Sequence, residues 1–146
     1  MERLLALGRV PLFATLSLEQ LEALQRITRE VAYLPCEVIC RESDPGNELF
    51  VITEGRVKIF QRYGEAGEAL LTTYEAGGTF GEMAIFGGER RTATAVADAP
   101  SRLLSLDGNS LKELILQMPE ISFEIFGTLT ERVRKAEARN SDQAVK

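Results

Sequence analysis

Apolar residues along this chain change their period twice. Over residues 17–30 they recur three apart, at Leu18, Leu21, Leu24 and Ile27, the spacing of one helix face. Ser17 offers an N-cap hydroxyl, and Gln20 three residues on completes a capping box. Residues 1–10 read as a short helical lead-in that Pro11 interrupts. From residue 31 the pattern becomes short, partly β-branched runs cut by turns. Runs at 31–34 and 37–41 are split by Pro35, and another occupies 68–74. Asp44-Pro45-Gly46, the polar stretch 63–67 and Ala76-Gly77-Gly78 carry turn chemistry. Runs at 48–53 and 56–61 flank Gly55, which predicts a tight hairpin with Gly55 at positive φ. Runs at 92–97 and 101–106 predict a second hairpin around Asp98-Ala99-Pro100. Many short strands with frequent turns predict a barrel or two-sheet sandwich.

The helical period returns at 107–118, with Leu111, Leu114 and Ile115 on one face. Pro119 ends that helix and suits the first turn of the next, expected over 120–138. There Ile121, Ile125, Leu129 and Val133 lie four apart, with Phe126 beside them. The ridge fits equally a face packed on the core and a seam with a partner helix, although under three heptads is short for a coiled coil. Beyond Ala138 the chain is polar and expected to fray.

Composition narrows the function. The chain has 146 residues, 45% of them hydrophobic and 27% charged, enough for one domain with a sizeable core. A net charge of -5 opposes non-specific binding to nucleic acid, whose affinity comes from clustered Lys and Arg. It leaves room for one small anion at a locally positive site. With no histidine and two cysteines, the usual structural zinc sites are not expected, and no metal ligand is assigned. If residues 36–40 are extended, Cys36 and Cys40 lie about 13 Å apart at roughly 3.3 Å per residue, too far for a disulfide. Two free thiols suit a reducing cytoplasm. No apolar run approaches the roughly 18 residues of a membrane span, and the N-terminus lacks the apolar core and cleavage site of a secretion signal.

The chemistry concentrates in residues 80–96, FGEMAIFGGERRTATAV. Gly81 and Glu82 open it, a short apolar turn follows from Met83 to Phe86, and Arg90 and Arg91 come after two glycines. A Gly-Glu pair and an Arg-Arg pair are each commonplace on protein surfaces, and their order is what carries weight. Such a segment suits a cyclic phosphate diester, whose single charge cannot be titrated away near neutral pH. Arg91 offers a fixed, planar cation with paired donors. Free N–H groups at a helical turn entered through Gly81 add more. Gly81 and Ala84, nearly without side chains, admit a sugar-phosphate against the backbone. Glu82 can accept a hydrogen bond from a ribose 2′-hydroxyl.

In this order the segment resembles the phosphate-binding cassette of the cyclic nucleotide-binding domain family, which includes catabolite activators, regulatory subunits of cyclic-AMP-dependent kinase and cyclic-nucleotide-gated channels. The matching residues are Phe80, Gly81, Glu82, Met83, Ala84, Arg91, Thr92 and Ala93. The resemblance implies that Glu82 holds the ribose 2′-hydroxyl and Arg91 the phosphate. Arg90 departs from the proline of many members. The implied fold is mainly β with flanking helices: an antiparallel, jelly-roll-like β-roll with an N-terminal helix and two C-terminal helices. The expected organisation is one domain over 1–146, with a helical segment at 1–30, the β-roll at 31–106 and the C-terminal helices at 107–138.

The implied ligand is cyclic AMP, with cyclic GMP a close second. The resemblance implies that Thr92 can hydrogen-bond the exocyclic amine of a syn guanine, without excluding adenine. The resemblance puts a base-facing region of the last helix near Ala136 and Glu137. It also implies a sensor that signals through that helix, to a second copy or a larger effector reached by residues 120–138. No helix-turn-helix follows, so direct DNA reading is not expected, nor is membrane insertion. No catalytic residue or cofactor is assigned, since Glu82 has no second group for acid–base work. A β-roll interaction module independent of nucleotide is the alternative.

Overall fold

The computed structural model describes residues 2–82, 85 and 90–145. The element order is α1 (Glu2–Arg9), a 3-10 turn (Pro11–Phe13), α2 (Leu18–Arg26), β1 (Thr28–Tyr33), β2 (Val38–Cys40), β3 (Glu48–Glu54), β4 (Arg56–Gln61), β5 (Ala69–Glu75), β6 (Thr79–Phe80), β7 (Thr94–Ala97), β8 (Ser101–Asp107), α3 (Gly108–Gln117) and α4 (Glu120–Val145). The strands form two antiparallel sheets, ordered β1-β8-β3-β6 and β2-β7-β4-β5. The protein is therefore the expected β-roll with flanking helices.

Local chemistry accounts for the helix starts. The Ser17 hydroxyl accepts from the Gln20 N–H at 3.1 Å, and the Gln20 side chain accepts from the Ser17 N–H at 2.8 Å, the reciprocal capping box. The α2 helix stops at Arg26, short of the expected residue 30. Thr28 to Tyr33 instead ladder against Leu106 to Ser101 of β8, a pairing that only the tertiary fold supplies. The Asp107 carboxylate caps α3 by accepting from the Ser110 N–H at 3.2 Å. The α4 helix runs to Val145, beyond the expected end at residue 138. Among the described residues no helix is long and apolar enough to cross a membrane.

Both expected hairpins need correction. Gly55 does take φ +97°, yet β3 pairs with β8 and β6 while β4 pairs with β7 and β5. A β-carbon at Gly55 would stand 2.6 Å from the Pro100 carbonyl oxygen. Gly55 therefore turns a corner between sheets where two chain segments nearly touch. Likewise β7 and β8 belong to opposite sheets. A tight turn carries the same residue signals whether its strands pair with each other or part.

The two sheets enclose one core, and the helices cover a second. On β3, Leu49 and Val51 face the helical cluster of Leu24, Leu111, Ile121 and Ile125, while Phe50 and Ile52 face the roll interior with Val57, Phe80 and Leu103. Two-residue alternation with both faces buried explains why this stretch is nearly continuously apolar. Ile121 and Ile125 are buried and Leu129 packs against them, whereas Val133 is 55% exposed. The four-apart ridge thus belongs mainly to the core.

Candidate ligand-binding site

A cavity of about 350 Å³ opens inside the roll. Its apolar wall comes from Cys40 of β2, Ile59 of β4, Tyr74 of β5, Phe80 of β6 and Ala95 of β7. Its polar end is formed by Gly81, Glu82, Arg90, Arg91, Thr92 and Ala93. That is the low end of the usual range for small-molecule sites. The roll builds it from short strands of both sheets, with Phe80 of β6 on one and Cys40 of β2 and Ala95 of β7 on the other.

Six of the eight residues expected from the sequence, Phe80, Gly81, Glu82, Arg91, Thr92 and Ala93, thus line one cavity. Met83 and Ala84 lie outside the described residues. Gly81 adopts φ +89°, a conformation that side chains rarely take, and turns the chain from β6 into the helical backbone of Glu82 and Ile85. Thr92 is exposed at the rim and Ala93 half-buried.

Arg91 is 9% exposed. Its Nη2 donates to the Glu48 carbonyl at 2.9 Å, and its Cζ lies 5.7 Å from the centroid of the Phe50 ring. Phe50 stacks on Phe80 at 5.1 Å, and Phe80 on Tyr74 at 6.3 Å, so an aromatic column runs from the guanidinium to the cavity wall. Burying a guanidinium is costly unless it is paired or hydrogen-bonded. Among the described residues, one of its five N–H donors is used, by the Glu48 carbonyl, and the guanidinium faces the cavity. Arg90 stays exposed and donates from Nη1 to the Ser43 carbonyl at 2.9 Å.

Two further groups feel this environment. Burial pushes the Cys40 thiol above its ordinary value, against the pull of the Arg91 charge. Burial likewise raises the Tyr33 phenol, helped by the negative charge of Glu48. The Glu48 carboxylate is held inside the roll by the Ser105 hydroxyl.

The last helix reaches the site through a residue that sequence reading missed. Arg132 of α4 donates from Nη1 to the Glu82 carboxylate at 3.2 Å. Arg132 is seven residues past Ile125 and therefore on the inward face of α4. A charged residue continuing a buried stripe was the signal that could have found it. Ala136, one turn further, shares that face, whereas Glu137 lies on the face of exposed Phe123 and Phe126. Cys40, Ile59, Tyr74 and Ala95, which also line the cavity, were not singled out in the sequence. They are apolar strand positions, indistinguishable in sequence from core.

Comparison with known proteins agrees with this geometry. Residues 30–118 match the family model of the cyclic nucleotide-binding domain. The chain is 34% identical over 116 residues to the human cyclic nucleotide-gated channel beta-1, spanning 77% of this chain and 9% of the channel. It is 30% identical over 136 residues to a CRP-like cAMP-activated global transcriptional regulator of Mycobacterium tuberculosis, spanning 93% of this chain and 61% of the regulator. The chain thus covers less than two thirds of the length of either relative. Among solved structures, the N-terminal domain of a transcriptional regulator from Streptomyces coelicolor A3(2) superposes with a TM-score of 0.85 at 31% identity, covering 92% of this chain and 94% of that one. The β-roll, the cavity lined by residues 80–82 and 90–93 and the match over residues 30–118 together make this chain a member of the cyclic nucleotide-binding domain family.

Proposed function

We propose that residues 1–146 act as a single cyclic-AMP-binding sensor domain, with no catalytic role of its own, in the cytoplasm. Arg91 binds the cyclic phosphate, Glu82 accepts from the ribose 2′-hydroxyl, and Phe80, Gly81, Met83, Ala84, Thr92 and Ala93 complete the pocket. The observation that carries this reading is a nearly buried guanidinium at one end of a cavity whose other end is apolar. An anionic sugar-phosphate matches the first end and a purine the second. The name of the cAMP-activated relative favours cyclic AMP over cyclic GMP. Two free thiols, Cys36 and Cys40, accord with a reducing compartment.

Binding is signalled through α4. The contact of Arg132 with Glu82 supports this, because it ties the helix to the carboxylate that also receives the ribose. A surface pair of this kind is worth only about 0–1 kcal/mol, so a ligand can readily rebalance it. The outer face of α4 is proposed to pair with a second copy of the chain. Phe123, Phe126 and Val133 lie exposed there, spaced with Thr130 three and four apart as in paired helices.

Titration calorimetry with cyclic AMP and cyclic GMP tests the function. Saturable binding with cyclic AMP the tighter ligand is expected, and binding of neither overturns the reading. Hydrogen exchange then tests the signal. Ligand should change protection across residues 120–138, and protection changes confined to the β-roll would remove α4 from the mechanism.

A further inference from the structure

The loop before β3 grips Arg91 from several sides. The Ser43 N–H donates to the Arg91 carbonyl at 2.8 Å, and the Arg91 N–H donates to the Asp44 carbonyl at 2.9 Å. Pro45 and Arg90 form an isolated antiparallel bridge. The Glu48 carbonyl accepts from the end of the side chain. Between these anchors, Gly46 lies flat against the arginine. A β-carbon on Gly46 would overlap the Arg91 Nε and stand 2.7 Å from Cζ and 2.8 Å from Cδ. Gly81 closes the other side, where a β-carbon would be 2.7 Å from Nη1.

The two glycines are there for different reasons. Gly81 has φ +89°, so its backbone alone disfavours a side chain. Gly46 is not among the glycines of positive φ, so its backbone tolerates alanine and the close approach of Arg91 is the constraint. Phe50 supplies a third wall beneath the guanidinium.

We infer that the loop 43–48 is a preorganising clamp on Arg91, and that Gly46 is a positioning residue whose missing side chain sets where the guanidinium points. The inference rests on the reading of Arg91 as the phosphate ligand. A guanidinium held before ligand arrives loses less conformational freedom on binding and meets the phosphate with its fork already aimed. An alanine at position 46 forces the side chain out of its slot, because the Cβ–Cζ approach lies well inside ordinary contact distance. The main-chain hydrogen bonds of Ser43 and Asp44 survive that change, so the loop keeps its path while the arginine loses its aim.

The experiment is a double-mutant cycle on the full chain with Gly46→Ala, Arg91→Ala and both together. Each variant is followed by thermal unfolding without ligand and by titration with cyclic AMP. The Arg91 Nε–H resonance is recorded by NMR of arginine-labelled protein. Gly46→Ala alone should shift that resonance and weaken binding by at least about tenfold, the worth of one charge-assisted hydrogen bond. It should also lower the unfolding temperature when Arg91 is present and leave it unchanged in the Arg91→Ala background, the signature of a coupled pair. Equal destabilisation in both backgrounds would mean that the methyl group meets something other than Arg91, and the clamp fails. An unmoved Nε–H resonance overturns it as well. If wild-type protein binds neither cyclic nucleotide, the phosphate reading fails. The coupling of positions 46 and 91 in the unfolding data still decides the clamp.

Discussion

Replacing Arg91 with alanine is the sharpest test of the site, because structure predicts a large effect on binding and a small one on folding. The guanidinium is 9% exposed, so an anion in the cavity meets it in a largely desolvated setting. Removing one partner of a buried, hydrogen-bonded ion pair costs about 3–5 kcal/mol. At about 1.4 kcal/mol per factor of ten, cyclic AMP affinity should fall roughly 150-fold to 4,000-fold. Without ligand, the same change removes one hydrogen bond to the Glu48 carbonyl and the contact with Phe50. It also relieves the cost of holding a cation out of water. These effects oppose each other, leaving a net change of about 1 kcal/mol, or roughly 2–4 °C in unfolding temperature for a chain of this length. Titration calorimetry and thermal unfolding, with and without cyclic AMP, separate the two. Arg91→Lys should sit between wild type and alanine, since a point charge keeps the attraction but not the planar fork. A folded Arg91→Ala protein with wild-type affinity would falsify the assignment of the phosphate to this residue.

Other residues give narrower tests. Glu82→Ala should weaken cyclic AMP binding by about 1.5–3 kcal/mol, the worth of a hydrogen bond to a charged group, and the loss should shrink with 2′-deoxy cyclic AMP; equal losses for both ligands would remove Glu82 from the ribose. Thr92→Ala should cost cyclic GMP about 1 kcal/mol and cyclic AMP little if the hydroxyl reads the base, whereas parallel losses would confine Thr92 to the phosphate. In a Cys36→Ser background, alkylation of Cys40 should be slow at neutral pH. Burial raises the thiol, so its reactive thiolate appears only as pH climbs past the ordinary thiol range. Saturating cyclic AMP should slow the reaction further, and labelling indifferent to ligand would take the cavity wall out of the binding site.

Much of this protein was legible along the chain because the relevant physics is local. The Ser17 capping box, the turn at Gly55 and the helical period of residues 107–118 depend on neighbours a few residues away, and each appears where the sequence puts it. Gly81, Glu82 and Arg91, singled out along the chain, do line one cavity. What the tertiary structure decided depends on partners far along the chain. Whether the strands flanking Gly55 pair with each other or part was settled by β8 and β7, which lie far along the chain from β3 and β4. The end of α2 was settled by the ladder to β8. The approach of Gly46 to Arg91, 45 positions later, has no trace in either local pattern. Arg132 meets Glu82 only because Ile121 and Ile125 bury one face of α4 and carry the arginine inward with them. Periodicity records which face of an element is apolar, but it does not record what that face will touch, since packing joins residues by distance in space and not by distance along the chain.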